Sequence, residues 1–118
     1  MAKTIAIVDD EKNVILIEKA LLQSKGYNVI ALNSSASALD VITERKPDVV
    51  LMDIVMPGTN GVELAYKLKT APATKGIKII AVTGQPMLNE HNSKYFDDIV
   101  LKPFKSEQLL SKIKALIG

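Results

Sequence analysis

The sequence predicts an open α/β domain: a five-stranded parallel sheet with helices on both faces. Two observations predict it. Short β-branched runs alternate with amphipathic stretches, the pattern of a repeated strand-helix unit. Two of the apolar runs, Thr4 to Val8 and Val49 to Met52, are followed directly by acids, Asp9-Asp10 and Asp53. Strands of a parallel sheet deliver their last residues to the carboxyl edge, where such folds place their ligands, so both runs bring carboxylates to one crevice.

The elements follow in order. Thr4 to Val8 is the first strand, and Val14, Ile17, Leu21 and Leu22 mark the apolar face of a first helix, which Gly26 closes in a left-handed turn. Asn28 to Leu32 is the second strand. Ser34 or Ser35 starts a second helix that buries Ala38, Leu39 and Ile42 and ends before Pro47, which pushes Lys46 out of helical dihedrals. Asp48 to Met52 is the third strand, and Gly61 to Thr70, with Val62, Leu64, Ala65 and Leu68, the third helix. Lys78 to Val82 is the fourth strand. Between Gln85 and Asp98, Pro86, Asn89, Asn92 and Ser93 are poor helix interior residues, so a fourth helix there is short or irregular. Ile99 to Leu101 is a short fifth strand. The last helix, Glu107 to Ile117, follows Ser106 and places Leu109, Leu110, Ile113 and Leu116 on one face. Right-handed crossovers order the sheet 2-1-3-4-5, the flavodoxin-like arrangement, with strands one and three flanking the switch point.

Composition narrows the function. With 118 residues and 47% apolar, residues 1–118 make one domain with one real core. No Cys is present, so there is neither a disulfide framework nor a thiolate metal site, in keeping with a cytoplasmic location. The N-terminal apolar run is too short for a signal peptide or a membrane span. The net charge of +2 comes from Lys and Arg spread along the chain, and aromatics are only 4%, which argues against a nucleic-acid surface.

Two further strand ends complete a constellation. Thr83-Gly84 follows the fourth strand, and Lys102-Pro103 the fifth. Singly, each residue has a plain structural use: Asp9-Asp10 as a helix cap, Asp53 as a turn residue, Thr83 as another cap, Lys102 as a surface ammonium. Their shared address beyond strand ends is what those uses leave unexplained. Three close carboxylates repel, and at least one would hold its proton unless a positive charge intervenes. Lys102 and a divalent cation both provide one. Magnesium takes hard oxygen ligands and keeps several waters, so Asp9, Asp10 and Asp53 suit it in number and kind, and the set suits phosphate transfer. His91, the only histidine, reads as a solvated residue.

These residues resemble the receiver (REC) domain of two-component system response regulators. The matching stretches are Ile7-Val8-Asp9-Asp10-Glu11, Pro47 to Pro57 with Gly61, Val82-Thr83-Gly84 and Lys102-Pro103-Phe104, four motifs in order across essentially the whole chain. The resemblance implies that Asp53 is the phosphoacceptor, taking a phosphoryl group from a sensor histidine kinase, a histidine phosphotransfer protein or a small phosphodonor. It implies that Asp9, Asp10, Asp53 and the Val55 backbone carbonyl hold Mg2+, and that Thr83 and Lys102 bind phosphoryl oxygens. Gly84 would leave room beside the phosphoryl group, Gly61 would serve the turn into the third helix, and the Lys102-Pro103 bond would be cis. Such a domain catalyses only its own phosphorylation and slow dephosphorylation, and signals to a downstream protein or a fused output domain. Kinase docking by the first helix points to Val14, Ile15 and Glu18.

The chain departs from the family pattern at Ile99, where Tyr or Phe is usual, and in the slightly short span from Thr83 to Lys102. A β-branched side chain cannot copy the rotamer change of an aromatic ring, so the signal would leave by another route, through Gln85 to Asp98 or with Tyr95 or Phe96 as substitutes. Two other functions stay open. A magnesium-dependent phosphohydrolase would share the aspartyl-phosphate intermediate but needs a second acid two residues after the nucleophile, where this chain has Val55. A receiver-like interaction module independent of phosphorylation would have no use for all five polar residues. A flavin-binding flavodoxin is set aside because Asp9-Asp10-Glu11 would repel the FMN phosphate. The chain reads either as a stand-alone receiver or as part of a longer regulator.

Overall fold

The computed structural model describes residues 2–56, 59–84 and 94–118. Five parallel strands, β1 (Thr4–Val8), β2 (Asn28–Leu32), β3 (Val49–Asp53), β6 (Lys78–Thr83) and β7 (Asp98–Leu101), form one sheet in the order β2-β1-β3-β6-β7. This is the predicted 2-1-3-4-5 order. A second sheet, unforeseen from the sequence, is the antiparallel hairpin of β4 (Val55–Met56) and β5 (Thr59–Asn60), which pairs Val55 with Asn60. The helices are α1 (Lys12–Ser24), α2 (Ser35–Arg45), α3 (Gly61–Thr70) and, at the end, α4 (Ser106–Ile117). The short or irregular helix expected between Gln85 and Asp98 falls mainly on residues 85–93, which lie outside the described residues, as does His91.

Alternation along the strands divides the interior into two cores. Ala6, Val8, Val50, Met52 and Ile79 pack with Ala38 and Ile42 of α2 and with Leu64, Ala65 and Leu68 of α3. On the other face Ile5, Ile7, Val49, Leu51, Ile80 and Val82 pack with Ile15 and Leu22 of α1 and with Leu109 and Ile113 of α4. Every residue of β3 is buried, as a central strand covered on both faces requires. Strand β3 begins and ends one residue later than read from the sequence and β6 runs one residue longer, so Asp53 and Thr83 are themselves the last residues of strands.

Chain reversals are built as their residues dictate. Gly26 takes φ +91° after α1, which costs glycine little. Lys46, held between α2 and Pro47, leaves the helix in the left-handed region at φ 46° while its N–H still reaches the Ile42 carbonyl at 2.8 Å. At the amino edge the Asp48 carboxylate accepts the Thr4 N–H at 2.8 Å, fastening β3 to β1. Near β7, Asp97 Oδ2 accepts from Lys69 Nζ at 2.7 Å and from the Ile79 N–H at 2.8 Å, tying the approach to that strand to α3 and β6.

One expectation about α1 needs correction. The apolar face was read as Val14, Ile17, Leu21 and Leu22, whereas the buried residues are Ile15, Glu18 and Leu22, and Ile17 is 70% exposed. The helix is rotated by about one residue from that reading. Val14, Ile15, Leu16 and Ile17 are four consecutive apolar residues, so periodicity alone left the register open, and the sheet took the row that contains a glutamate. Ile15 and Glu18 are therefore not accessible for docking, and the large exposed apolar residues of this helix are Leu16 and Ile17.

Candidate functional site

The ends of β1 and β3 lie side by side in the sheet, with Val8 in register with Met52, so the residues that follow emerge together. Asp9, Asp10 and Asp53 each place a carboxylate oxygen within 4.8 Å of the others. Asp9 and Asp53 are buried and Asp10 is exposed, which leaves the cluster open on one side. Asp9 is fixed at both ends: its N–H donates to the Leu32 carbonyl at 3.1 Å, and its Oδ1 accepts the Glu11 N–H at 3.0 Å as α1 begins.

Lys102 closes the cluster from the far side of β6. Its Nζ lies 3.4 Å from Asp9 Oδ2 and 3.6 Å from Asp53 Oδ2. Its own N–H donates to the Thr83 carbonyl at 2.8 Å, so the residue carrying the ammonium is tied to the end of β6. Burial pulls the Lys102 ammonium toward deprotonation, but Asp9 and Asp53, followed by Glu18, outweigh it and hold the group above its ordinary range. Lys102 is thus a permanent cation facing two buried carboxylates. The Lys102–Pro103 peptide bond is cis.

Thr83, buried at the end of β6, completes the set, and a Cβ at Gly84 would meet nothing within 4 Å. Val55 opens β4 two residues beyond Asp53. The structure therefore brings Asp9, Asp10, Asp53 and Lys102 together directly, and sets Thr83 and Val55 on the adjoining backbone. Three hard oxygen donors at this spacing fit a small divalent cation, and the chain offers no thiolate to attract a softer one.

Two residues contribute in ways the sequence reading did not assign to them. Gly61 is needed less for its turn than for its missing side chain: a Cβ there would lie 2.8 Å from the Asp53 carbonyl oxygen and 3.0 Å from the Ile54 Cα. The start of α3 presses on the backbone that presents Asp53, and only hydrogen fits. Glu18 is the second. It is buried on α1, and burial, then Asp9, raise its carboxyl to about 7, with Lys102 acting in the opposite direction. An acid in a helix row otherwise filled by Ile15 and Leu22 was the available signal.

Comparison with known proteins gives concordant results. The family model described as the response regulator receiver domain matches residues 5–114. The phosphate regulon transcriptional regulatory protein PhoB of Pseudomonas aeruginosa is 36% identical over 99% of this chain and 52% of its own length. PhoB of Rhizobium meliloti is 30% identical over 99% of this chain and 53% of its own. The chain thus spans about half the length of these curated relatives. Among solved structures, response regulator protein TrrA from Thermotoga maritima, in complex with Mg(2+)-BeF, superposes with a TM-score of 0.88 at 33% identity, covering 97% of this chain and 98% of its own. The CheY-like receiver domain from Methylobacillus flagellatus gives 0.90 at 26% identity, covering 98% and 99%.

Proposed function

Since the chain belongs to the response regulator receiver domain family, we propose that it is the phosphoryl-accepting module of a two-component pathway, with Asp53 as the residue that carries the phosphoryl group. The observation that supports this most is the placement of Asp53: a buried carboxylate at the end of the central strand, 3.6 Å from the Lys102 ammonium and grouped with Asp9 and Asp10. A carboxylate is a weak nucleophile, and the surroundings have to supply orientation and charge.

In this reading an Asp53 carboxylate oxygen attacks phosphorus. The bond between phosphorus and the donor's imidazole nitrogen or acyl oxygen breaks, the electron pair leaves with the donor, and an acyl phosphate forms. Strand β3 fixes the backbone that presents Asp53, and Gly61 lets α3 close against that backbone. Lys102 neutralises charge: in the resting site its ammonium serves Asp9 and Asp53, and on transfer it turns to a phosphoryl oxygen. Thr83 donates its hydroxyl to another oxygen, and Gly84 leaves the space beside it open. Asp9, Asp10 and Asp53, with the Val55 carbonyl, would hold Mg2+, which when bound offsets the charge on the phosphoryl oxygens.

The donor is a sensor histidine kinase or a histidine phosphotransfer protein in the cytoplasm, and the receiver passes its state to a downstream protein or a fused output domain. The surface for docking the donor is the exposed pair Leu16 and Ile17 on α1. The domain turns over no substrate beyond its own phosphorylation and slow dephosphorylation. Ile99 is half-buried on β7 and Tyr95 packs edge-on against Tyr66 at 5.3 Å; the alternative exit for the signal, Gln85 to Asp98, lies for the most part outside the described residues. Incubation with acetyl phosphate and magnesium followed by mass spectrometry tests the assignment. One phosphoryl adduct on the Asp53 peptide is expected, absent in Asp53→Asn. An adduct elsewhere, or rapid repeated turnover of p-nitrophenyl phosphate, would overturn it.

A further inference from the structure

Glu18 is a fourth carboxyl behind the acidic crevice, and phosphoryl acceptance by Asp53 makes no use of it. It occupies the buried row of α1 between Ile15 and Leu22, is only 4% exposed, and its Oε2 has no hydrogen-bond partner. Buried polar atoms are nearly always partnered, so the exception asks for a reason. The charged groups that act on it are Asp9 from the turn after β1, Lys102 from the turn after β7, and Asp53 at the end of β3. With Oε2 unpartnered, these charges act on it through space. Glu18 and Lys102 also share the wall of a groove of about 470 Å3, lined further by Val14, Leu21 and Phe104.

We propose that Glu18 is a proton-linked partner of the Asp9–Asp10–Asp53 crevice, which loses its proton when the crevice takes up a divalent cation and regains it when the crevice empties. The inference rests on the cation-binding part of the function proposed above. The electrostatics give its sign. Burial and repulsion from Asp9 and Asp53 hold the proton on Glu18 up to about pH 7, against the pull of Lys102. Positive charge in the crevice offsets the repulsion and leaves burial alone to oppose ionisation, so the midpoint falls and part of the proton is released to solvent. Linkage is reciprocal: if occupancy favours the ionised carboxyl, the ionised carboxyl favours occupancy by the same factor. Affinity for the cation therefore rises with pH through the neutral range, beyond any change due to the ligands themselves.

The test follows the Glu18 carboxyl by 13C NMR through a pH titration of the full chain, with and without magnesium. Calorimetry at pH 7 in two buffers of different ionisation enthalpy counts the protons released. Magnesium is expected to lower the Glu18 midpoint, and the wild type to release a fraction of a proton per ion that Glu18→Gln does not. Magnesium affinity should rise about fivefold from pH 6 to pH 8, the low end for coupled sites, and much less in Glu18→Gln. Glu18→Leu, which restores an apolar row, should match Glu18→Gln, showing that the carboxyl and not a hydrogen bond is responsible. If magnesium moves the Asp9 and Asp10 resonances but leaves the Glu18 midpoint in place, or if Glu18→Gln releases as many protons as the wild type, the inference is overturned while the cation site stands. If magnesium moves no resonance in the crevice, the cation site falls and takes the inference with it.

Discussion

Asp53 and Glu18 are both buried acids on the same side of one small domain, 6% and 4% exposed, and they have opposite surroundings. Asp53 faces an ammonium at 3.6 Å and stands at a strand end that opens onto the crevice. Glu18 stands mid-helix among isoleucine and leucine, with one oxygen unpartnered. Burial is common to both, and compensation is not. Asp53 has an ammonium beside it to offset its charge, while Glu18 retains its proton into the neutral range. The mutations that separate these two situations should have effects of very different sign.

The largest effect is expected from removing the compensation at the crevice. Lys102→Ala leaves Asp9 and Asp53 facing each other, and breaking a buried pair in this way costs roughly 3 kcal/mol at pH 7. Because the Lys102 pKa is raised, its contribution is complete below the unfolded lysine value of about 10.5 and is lost only as pH climbs through the still higher folded value. The loss should therefore be constant across the neutral range in urea melts, and millimolar magnesium should recover part of it. Phosphoryl incorporation from acetyl phosphate should fall about 100-fold. Incorporation at the wild-type rate would mean that Lys102 does not touch the transferred group.

Removing the uncompensated acid should do the reverse. Glu18→Leu is expected to stabilise the protein, by roughly 3 kcal/mol at pH 8, since the folded carboxyl titrates near 7 against 4.5 unfolded and each unit is worth about 1.4 kcal/mol. The sign is set by the raised pKa. Below about pH 4.5 both states hold the proton and Glu18 costs nothing by ionisation. Between 4.5 and 7 the unfolded state ionises first, so the wild type loses stability as pH rises, and above 7 the cost is full. A pH series of denaturation midpoints for wild type and Glu18→Leu should diverge over that window, and parallel curves would show that Glu18 is solvated in the folded state.

A third substitution acts on backbone. Gly61→Ala inserts a methyl 2.8 Å from the Asp53 carbonyl oxygen, where only backbone can give way. A cost of about 1–3 kcal/mol is expected, in the range for overpacked sites, together with slower phosphorylation because the displaced strand end carries Asp53. Unchanged stability with full activity would mean that α3 can withdraw freely.

The strand-end side was legible in the sequence and the helix side was not, for a physical reason. Parallel strands buried on both faces read as unbroken apolar runs, so β1, β3 and β6 declared themselves, and the polar residues that ended the runs, Asp9, Asp53 and Thr83, marked the crevice without further information. On α1 the same composition argument failed. Four consecutive apolar residues fit more than one helix register, and a rule that places acids outside put Glu18 on the surface. Gly61 was recognised as a helix-start glycine, but its contact with the Asp53 carbonyl is tertiary and leaves no local trace. The β4–β5 hairpin was missed because strands of two residues are too short to show alternation.

A pair of isoleucines, one of which should show the smallest effect of all, tests that helix register directly. Ile15 and Ile17 are chemically identical and two residues apart, yet Ile15 is 7% exposed in the core beneath α1 and Ile17 is 70% exposed. Ile15→Ala should cost roughly 2–4 kcal/mol from lost burial and the cavity left behind. Ile17→Ala should change stability by less than about 0.5 kcal/mol, as surface substitutions do. Any consequence of Ile17→Ala then belongs to binding: phosphorylation by acetyl phosphate, which needs no docking, should be unaltered, whereas transfer from a protein donor should slow. Destabilisation by Ile17→Ala with little cost from Ile15→Ala would place the helix in the register first read from the sequence. Glu18 would then turn outward, and the contrast with Asp53 would vanish.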